Sequence, residues 1–380
     1  MNLVQEVVDE STAILYGGDR KWFDVHEKDF VRMTTLYVPY GNERGGCPDW
    51  RGAWKGTDIT KMPCVFCALP NAVKEYQQAF YDGAPVPHEE IVAKLMHNIA
   101  VAGRESDMHT LAIFNGGSFL AMEPDLQLKI VACVVAAKVQ RLVIESRAEL
   151  VTDDAVARIM RELAPYDIKL TVRIGVETQD DKVRMHVLRK GHVRKTLIRA
   201  VQILHAHGVT VGGYALVAPA PHSWILRVHP QVQNYELWAL DEGVATVHAI
   251  LDEFDMDEVY VCSTCVAPGT YLEKLWQEGA YEPASLTLIA EVLAKTVVTN
   301  NKKPIHLLPL KDEPAFVAVS SNHSRSGVHQ NETKLHKHDR QFRALLDFYR
   351  ATMEIRPFLR AHQLLRHDVR DCTLCQLLID

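Results

Sequence analysis

The chain has 380 residues, with 42 Lys+Arg against 48 Asp+Glu, a formal net charge of −6 and a pI near 6.3. A composition of 47% hydrophobic and 24% charged residues excludes a disordered, fibrous or membrane-embedded chain. The mild acidity removes the simple electrostatic argument for a general nucleic-acid binder.

In chain order, six short β-rich runs are predicted at 34–40, 111–115, 141–145, 170–176, 209–217 and 258–262. Between them lie helical patterns such as 89–101, 126–139, 153–163 and 195–207, with Thr152 as an N-cap and Gly208 as a C-cap. This alternation predicts parallel strands with right-handed crossovers, and six units suit an open or partial barrel. Helical segments at 272–277 and 286–298, an apolar run at 305–310, a polar stretch at 320–339 and helical patterns at 340–353 and 357–365 follow. The expected division is an N-terminal arm over 1–29, a barrel over 30–300 and a C-terminal extension over 301–380.

Eight cysteines stand out, six of them in three Cys-x-x-Cys pairs: Cys64/Cys67, Cys262/Cys265 and Cys372/Cys375. A chain this long buries a core without disulfide staples. The N-terminus carries no basic region leading into an apolar run, and no stretch reaches the ~18 apolar residues of a membrane span. A cytoplasmic location with reduced thiols is therefore expected, and close-spaced pairs then point to metal or redox chemistry.

In a parallel α/β barrel, function gathers at the C-terminal ends of the strands. The first predicted strand leads through Gly45-Gly46-Cys47 and a long loop to Pro63-Cys64-Val65-Phe66-Cys67. Three thiolates on one loop can hold three irons of a [4Fe-4S] cluster and leave the fourth open. The competing reading is structural zinc, for which His88 is the one nearby fourth ligand. Later strands end in Asn115-Gly116-Gly117-Ser118-Phe119-Leu120, Ile144-Glu145-Ser146-Arg147-Ala148-Glu149, Ile174-Gly175-Val176-Glu177-Thr178 and Ala218-Pro219.

In these motifs and their order the chain resembles the radical S-adenosylmethionine (SAM) superfamily. Within it, the similarity is to the group containing the Elongator catalytic subunit and the radical-SAM subunit of archaeosine synthase. It covers roughly residues 30–300 and continues through Pro268-Gly269-Thr270-Tyr271, Leu275-Trp276 and Gly279-Ala280-Tyr281-Glu282-Pro283, which look most like the archaeosine branch. The superfamily spacing is Cys-x3-Cys-x2-Cys, whereas here sixteen residues separate Cys47 from Cys64. The group lengthens that loop, so Cys47 remains the first ligand beside Cys64 and Cys67. The resemblance implies a partial (β/α)6 TIM-like barrel of the radical SAM type with a helical C-terminal extension. It also implies one cluster that binds SAM and an electron donor such as flavodoxin or ferredoxin. Gly116, Gly117 and Ser118 would contact the methionine end of SAM, Glu145 and Arg147 its carboxylate or ribose, and Glu177 the ribose hydroxyls. For Arg147 and Glu177 a salt bridge across the barrel mouth is the competing role.

Cys262 and Cys265 follow the sixth strand, and Cys372 and Cys375 close the chain. The four thiols fit zinc or a second cluster, or a thiophilic substrate such as trivalent arsenic; or Cys262 and Cys265 are small buried residues and the tail pair is incidental. The tail Arg370-Asp371-Cys372-Thr373-Leu374-Cys375 is similar to that of radical SAM enzymes that form carbon–arsenic bonds in arsinothricin biosynthesis. The expected substrate is thus a small molecule or metalloid held near this second cysteine set, for instance by 3-amino-3-carboxypropyl transfer to arsenic. The other reading is radical cleavage of a lysine-modified 7-deazaguanine in tRNA, against which the net acidity weighs. Solvated segments are expected for His323, His329, His336 and His338 and for the basic run Arg184, Arg189, Lys190, Arg194 and Lys195. Cys133, on an apolar helix, is expected in the core.

Overall fold

Strand β1 (Leu15–Asp24) pairs antiparallel with β2 (Asp29–Val38), and six further strands follow: β3 (Thr110–Asn115), β4 (Arg141–Ser146), β5 (Lys169–Glu177), β6 (Thr210–Val217), β7 (Glu258–Ser263) and β8 (Ile305–Leu307). The protein is described here from a computed structural model over residues 15–24, 26–41, 47, 62–67, 69–105, 108–299, 303–308 and 337–370. Sheet order equals chain order from β1 to β8, and the pairings β2–β3, β3–β4, β4–β5 and β7–β8 are parallel.

Helices fill the connections: α1 (Leu69–Tyr81) and α2 (His88–Glu105) before β3, α3 (Pro124–Ala137) before β4, α4 (Asp153–Leu163) before β5 and α5 (Arg194–Ala206) before β6. Next come α6 (His222–Val228) and α7 (Tyr235–His248), then α8 (Tyr271–Gln277) and α9 (Leu286–Thr299), and α10 (Lys337–Thr352) and α11 (Ile355–Arg370) close the described chain. The fold is α/β with the strand–helix connectivity of a partial barrel. All six residues of β3 are buried, as expected of a parallel strand covered on both faces. Thr152 caps α4 by accepting from the Ala155 amide, and Gly208 follows α5 at φ +70°.

The predicted strands β2 to β7 are therefore all present, but the sheet is wider by one strand at each end. Residues 15–24, assigned from sequence to an arm, form an edge strand. Its pairing slips between Tyr16 and Asp19, where Gly17 and Gly18 permit the bulge. A buried ion pair fastens this strand: Arg141 of β4 donates Nε to Asp24 Oδ2 at 2.7 Å and Nη2 to Oδ1 at 3.3 Å. The Asp24 carboxyl also caps the turn, accepting from the His26 and Glu27 amides. Burial pushes its pKa up, but Arg141 and these amides prevail, and it lies below the usual value.

Packing divides the chain into two compact units: Met1–Gly175 with His192–Gly213, and Val176–Gly191 with Tyr214–Asp380. No helix among the described residues is long and apolar enough to cross a membrane.

Candidate functional site

In the first unit, the cysteine loop is fastened at both ends by α1. The helix begins two residues after Cys67, and its Gln77 side chain donates to Gly41 O, just past β2, at 3.0 Å. The Cys67 amide closes a turn onto Cys64 O at 2.8 Å, and Cys64 has a φ of +46°, a left-handed conformation rare away from glycine. Cys47 and Cys64 are buried and Cys67 is half-buried. Among the described residues no three His, Cys, Asp or Glu side chains converge as a metal site. His88, the candidate zinc ligand, lies 3.6 Å from Glu123.

Gly116 lacks a side chain for a packing reason. A Cβ there would meet Val73 Cγ2 of α1 at 2.2 Å and Leu69 O at 3.3 Å. The glycine thus lets α1 lie against the end of β3. Nearby, Asn115 Nδ2 donates to Ser118 O at 3.3 Å, and the Ser118 hydroxyl accepts from the Arg147 amide at 3.0 Å. This last bond ties the end of β3 to the end of β4, where Glu145 is half-buried.

Arg147 is 7% exposed, and its guanidinium reaches both Glu149 and Cys64. Nε lies 2.5 Å from Glu149 Oε1, and Nη1 lies 3.6 Å from Cys64 Sγ. On the far side of Glu149, His192 Nδ1 is 3.4 Å from Oε2, an ion-pair distance without hydrogen-bond alignment. Burial would raise the Glu149 carboxyl, but His192 and Arg147 hold it at about 2. Glu149 and His192 were not singled out from sequence. Glu149 closes the run Glu145-Ser146-Arg147-Ala148-Glu149 after β4, but only the fold brings His192 to it.

In the second unit, Glu177 ends β5 at φ +66° and pairs with Lys190 at 2.6 Å, both side chains largely buried. Thr178 donates to Glu242 of α7, and so does Gln179 Nε2, at 2.9 Å; burial raises the Glu242 pKa against these donors. The basic run is not a solvated turn throughout. Arg184 is fully buried in a π-helical turn, Val183–Val187, and its guanidinium donates to Val176 O and Thr178 O and pairs with Asp181. A buried guanidinium is tolerated only when its N–H fork is filled, and strand-end carbonyls fill it here.

Cys262 and Cys265 are both buried at the end of β7. Cys262 Sγ points to Tyr260 O at 3.3 Å and Cys265 Sγ to Ser263 Oγ at 3.9 Å. Tyr281 secures the neighbouring backbone, reaching Ala218 O at 3.1 Å and Thr264 O at 3.0 Å, and burial pushes its phenol up. Cys372, Cys375, His323, His329 and His336 lie outside the described residues. His338 is buried at the start of α10, against the expectation of a solvated stretch, and Cys133 is in the core as expected.

No family model matches the chain. Among curated proteins, it is 29% identical over 237 residues to archaeosine synthase subunit beta of Thermococcus kodakarensis, covering 60% of this chain and 65% of that one. It is 25% identical over 231 residues to the protein of the same name from Methanosarcina acetivorans, covering 59% and 62%. The chain thus spans less than two thirds of the length of the curated relatives it matches. Among solved structures, Elp3 of Methanocaldococcus infernus aligns with 62% of this chain and 56% of its own, at 16% identity and a TM-score of 0.45.

Proposed function

We propose that this radical SAM enzyme, of the group that contains the Elongator catalytic subunit and the archaeosine synthase beta subunits, acts on a lysine-modified 7-deazaguanine in tRNA. The observation that carries the reading is the 237-residue match to a protein named archaeosine synthase subunit beta. Cys47, Cys64 and Cys67 would hold a [4Fe-4S] cluster. What supports this is the donor chemistry, three thiols of which Cys64 and Cys67 are joined by a tight turn; the three do not converge among the described residues. When bound, the cluster and SAM supply one-electron cleavage of a carbon–sulfur bond and so a carbon-centred radical.

The chain's own residues bind and orient. By the resemblance, Gly117 and the Ser118 backbone, at the end of β3, would take the methionine end of SAM, and Glu145, at the end of β4, would take its amino or ribose groups. By the same resemblance Glu177, presented on a left-handed residue and paired with Lys190, would serve the ribose hydroxyls. Gly116 acts one step removed by allowing α1 its close approach.

Net acidity counts for less against tRNA than the totals suggest. Over residues 337–370 there are eight Lys/Arg against four Asp/Glu, and Arg356 and Arg360 stand exposed one turn apart on α11. Local basic surface, not net charge, meets a phosphate backbone. Transfer of a SAM fragment to arsenic held by Cys262, Cys265, Cys372 and Cys375 gains no such support.

The test is anaerobic reconstitution followed by incubation with SAM, a reductant and tRNA carrying the modified base. Mass spectrometry is expected to find 5′-deoxyadenosine with a shortened base. Methylthioadenosine formed only with arsenite would overturn the tRNA reading. A colourless protein containing zinc and no iron would overturn the enzyme reading altogether.

A further inference from the structure

We propose that Glu149 and His192 are positioning residues that hold the Arg147 guanidinium against the Cys64 sulfur, giving that cluster ligand a charged hydrogen bond. This rests on the reading of Cys64 as a ligand of the cluster. Every link lies within one compact unit.

The Arg147 backbone is fixed first. Its amide donates to Ser118 Oγ at 3.0 Å, and its carbonyl accepts from Leu150 at 3.1 Å in the turn after β4. The side chain is then fixed through its fork. A guanidinium is planar, so the direction of Nε sets that of Nη1. Glu149 Oε1 engages Nε at 2.5 Å, which leaves Nη1 directed at Cys64 Sγ, 3.6 Å away. His192, 2% exposed, stands 3.4 Å behind the second Glu149 oxygen and keeps the carboxylate from turning away. The carboxyl titrates near 2 despite its burial, so it meets Arg147 as an anion at every physiological pH.

A donor to a cluster thiolate withdraws electron density from the iron–sulfur bond and favours the reduced cluster, which raises the potential. Glu149 acts in the opposite sense as a bare charge, since an anion near the cluster disfavours the added electron. Positioning and simple electrostatics therefore predict different outcomes when Glu149 is replaced.

The measurement is the midpoint potential of the reconstituted full chain without SAM, with iron content and circular dichroism as controls. Arg147→Met is expected to make reduction at least tenfold less favourable, which for one electron is a fall of about 59 mV. Glu149→Ala, which frees Arg147, should shift the potential in the same direction. Glu149→Gln keeps an acceptor for Nε and should not fall below wild type. Equal upward shifts in Glu149→Ala and Glu149→Gln would reduce Glu149 to a charge and overturn the inference, as would a wild-type potential in Arg147→Met. Should Arg147→Met fail to hold a cluster, the two Glu149 variants decide alone. A wild-type chain that takes up no iron overturns the cluster reading and this one with it. Unchanged potentials in variants that carry a cluster overturn this one only.

Discussion

Replacing Gly116 by Ala tests how the cysteine loop is supported. The new Cβ would stand 2.2 Å from Val73 Cγ2, 3.1 Å from Val73 Cβ and 3.3 Å from Leu69 O. Carbon atoms settle at about 3.5–4.0 Å, so either α1 retreats by more than ~1 Å or Val73 leaves its preferred rotamer. Overpacking of this kind costs about 1–3 kcal/mol. Val73→Ala alone should cost about 1 kcal/mol through the cavity it leaves. In the double variant the offending methyl is gone and 3.1 Å is the closest approach left, so the two changes should couple favourably by about 1–2 kcal/mol. Urea unfolding of the four proteins measures the cycle, and iron uptake should fall in Gly116→Ala and recover in the double variant. Strict additivity, or a Gly116→Ala protein as stable as wild type, would refute the packing argument. It would return Gly116 to a role in ligand approach.

Lys190→Met leaves the Glu177 carboxylate, 5% exposed, without its cation, and should destabilise by about 3 kcal/mol. Adding Glu177→Gln should recover most of that loss in thermal unfolding, and equal midpoints for wild type and Lys190→Met would contradict it. Glu149 makes a pH prediction. Its folded pKa, about 2, is below the ordinary 4.5, so its stabilisation is complete above 4.5 and disappears as pH falls to about 2. The stability gap between wild type and Glu149→Gln should therefore narrow from pH 6 to pH 3 in urea titrations. A gap that stays constant would rule out the depressed pKa.

The parallel strands were legible because β-branched and aromatic residues crowd runs such as Val143-Ile144 and Thr171-Val172, and α4 announced itself through Thr152. Strand β1 was not legible. Its Gly17-Gly18 and Asp19-Arg20-Lys21 break the alternation, and its stability comes from Arg141 of β4, distant in the chain. The strand-end motifs located Ser118, Glu145, Arg147 and Glu177 at the ends of their strands, but not their partners. Arg184 misled for a physical reason. Composition registers a cation but cannot register two carbonyls converging on it, so a buried staple looks like a solvated turn. His192 was hidden by the same limit, since nothing in its neighbours points to Glu149.

The division of the chain carries a consequence for how this protein can be dissected or recombined. The backbone passes from one unit to the other at 175/176, returns at 191/192 and leaves again at 213/214, and two of these crossings fall inside β5 and β6. No single cut releases either unit as a contiguous fragment, and any crossover at the first or third junction severs a strand. Inheritance must therefore treat the two as one cassette, and expression of a half-length gene product should yield neither.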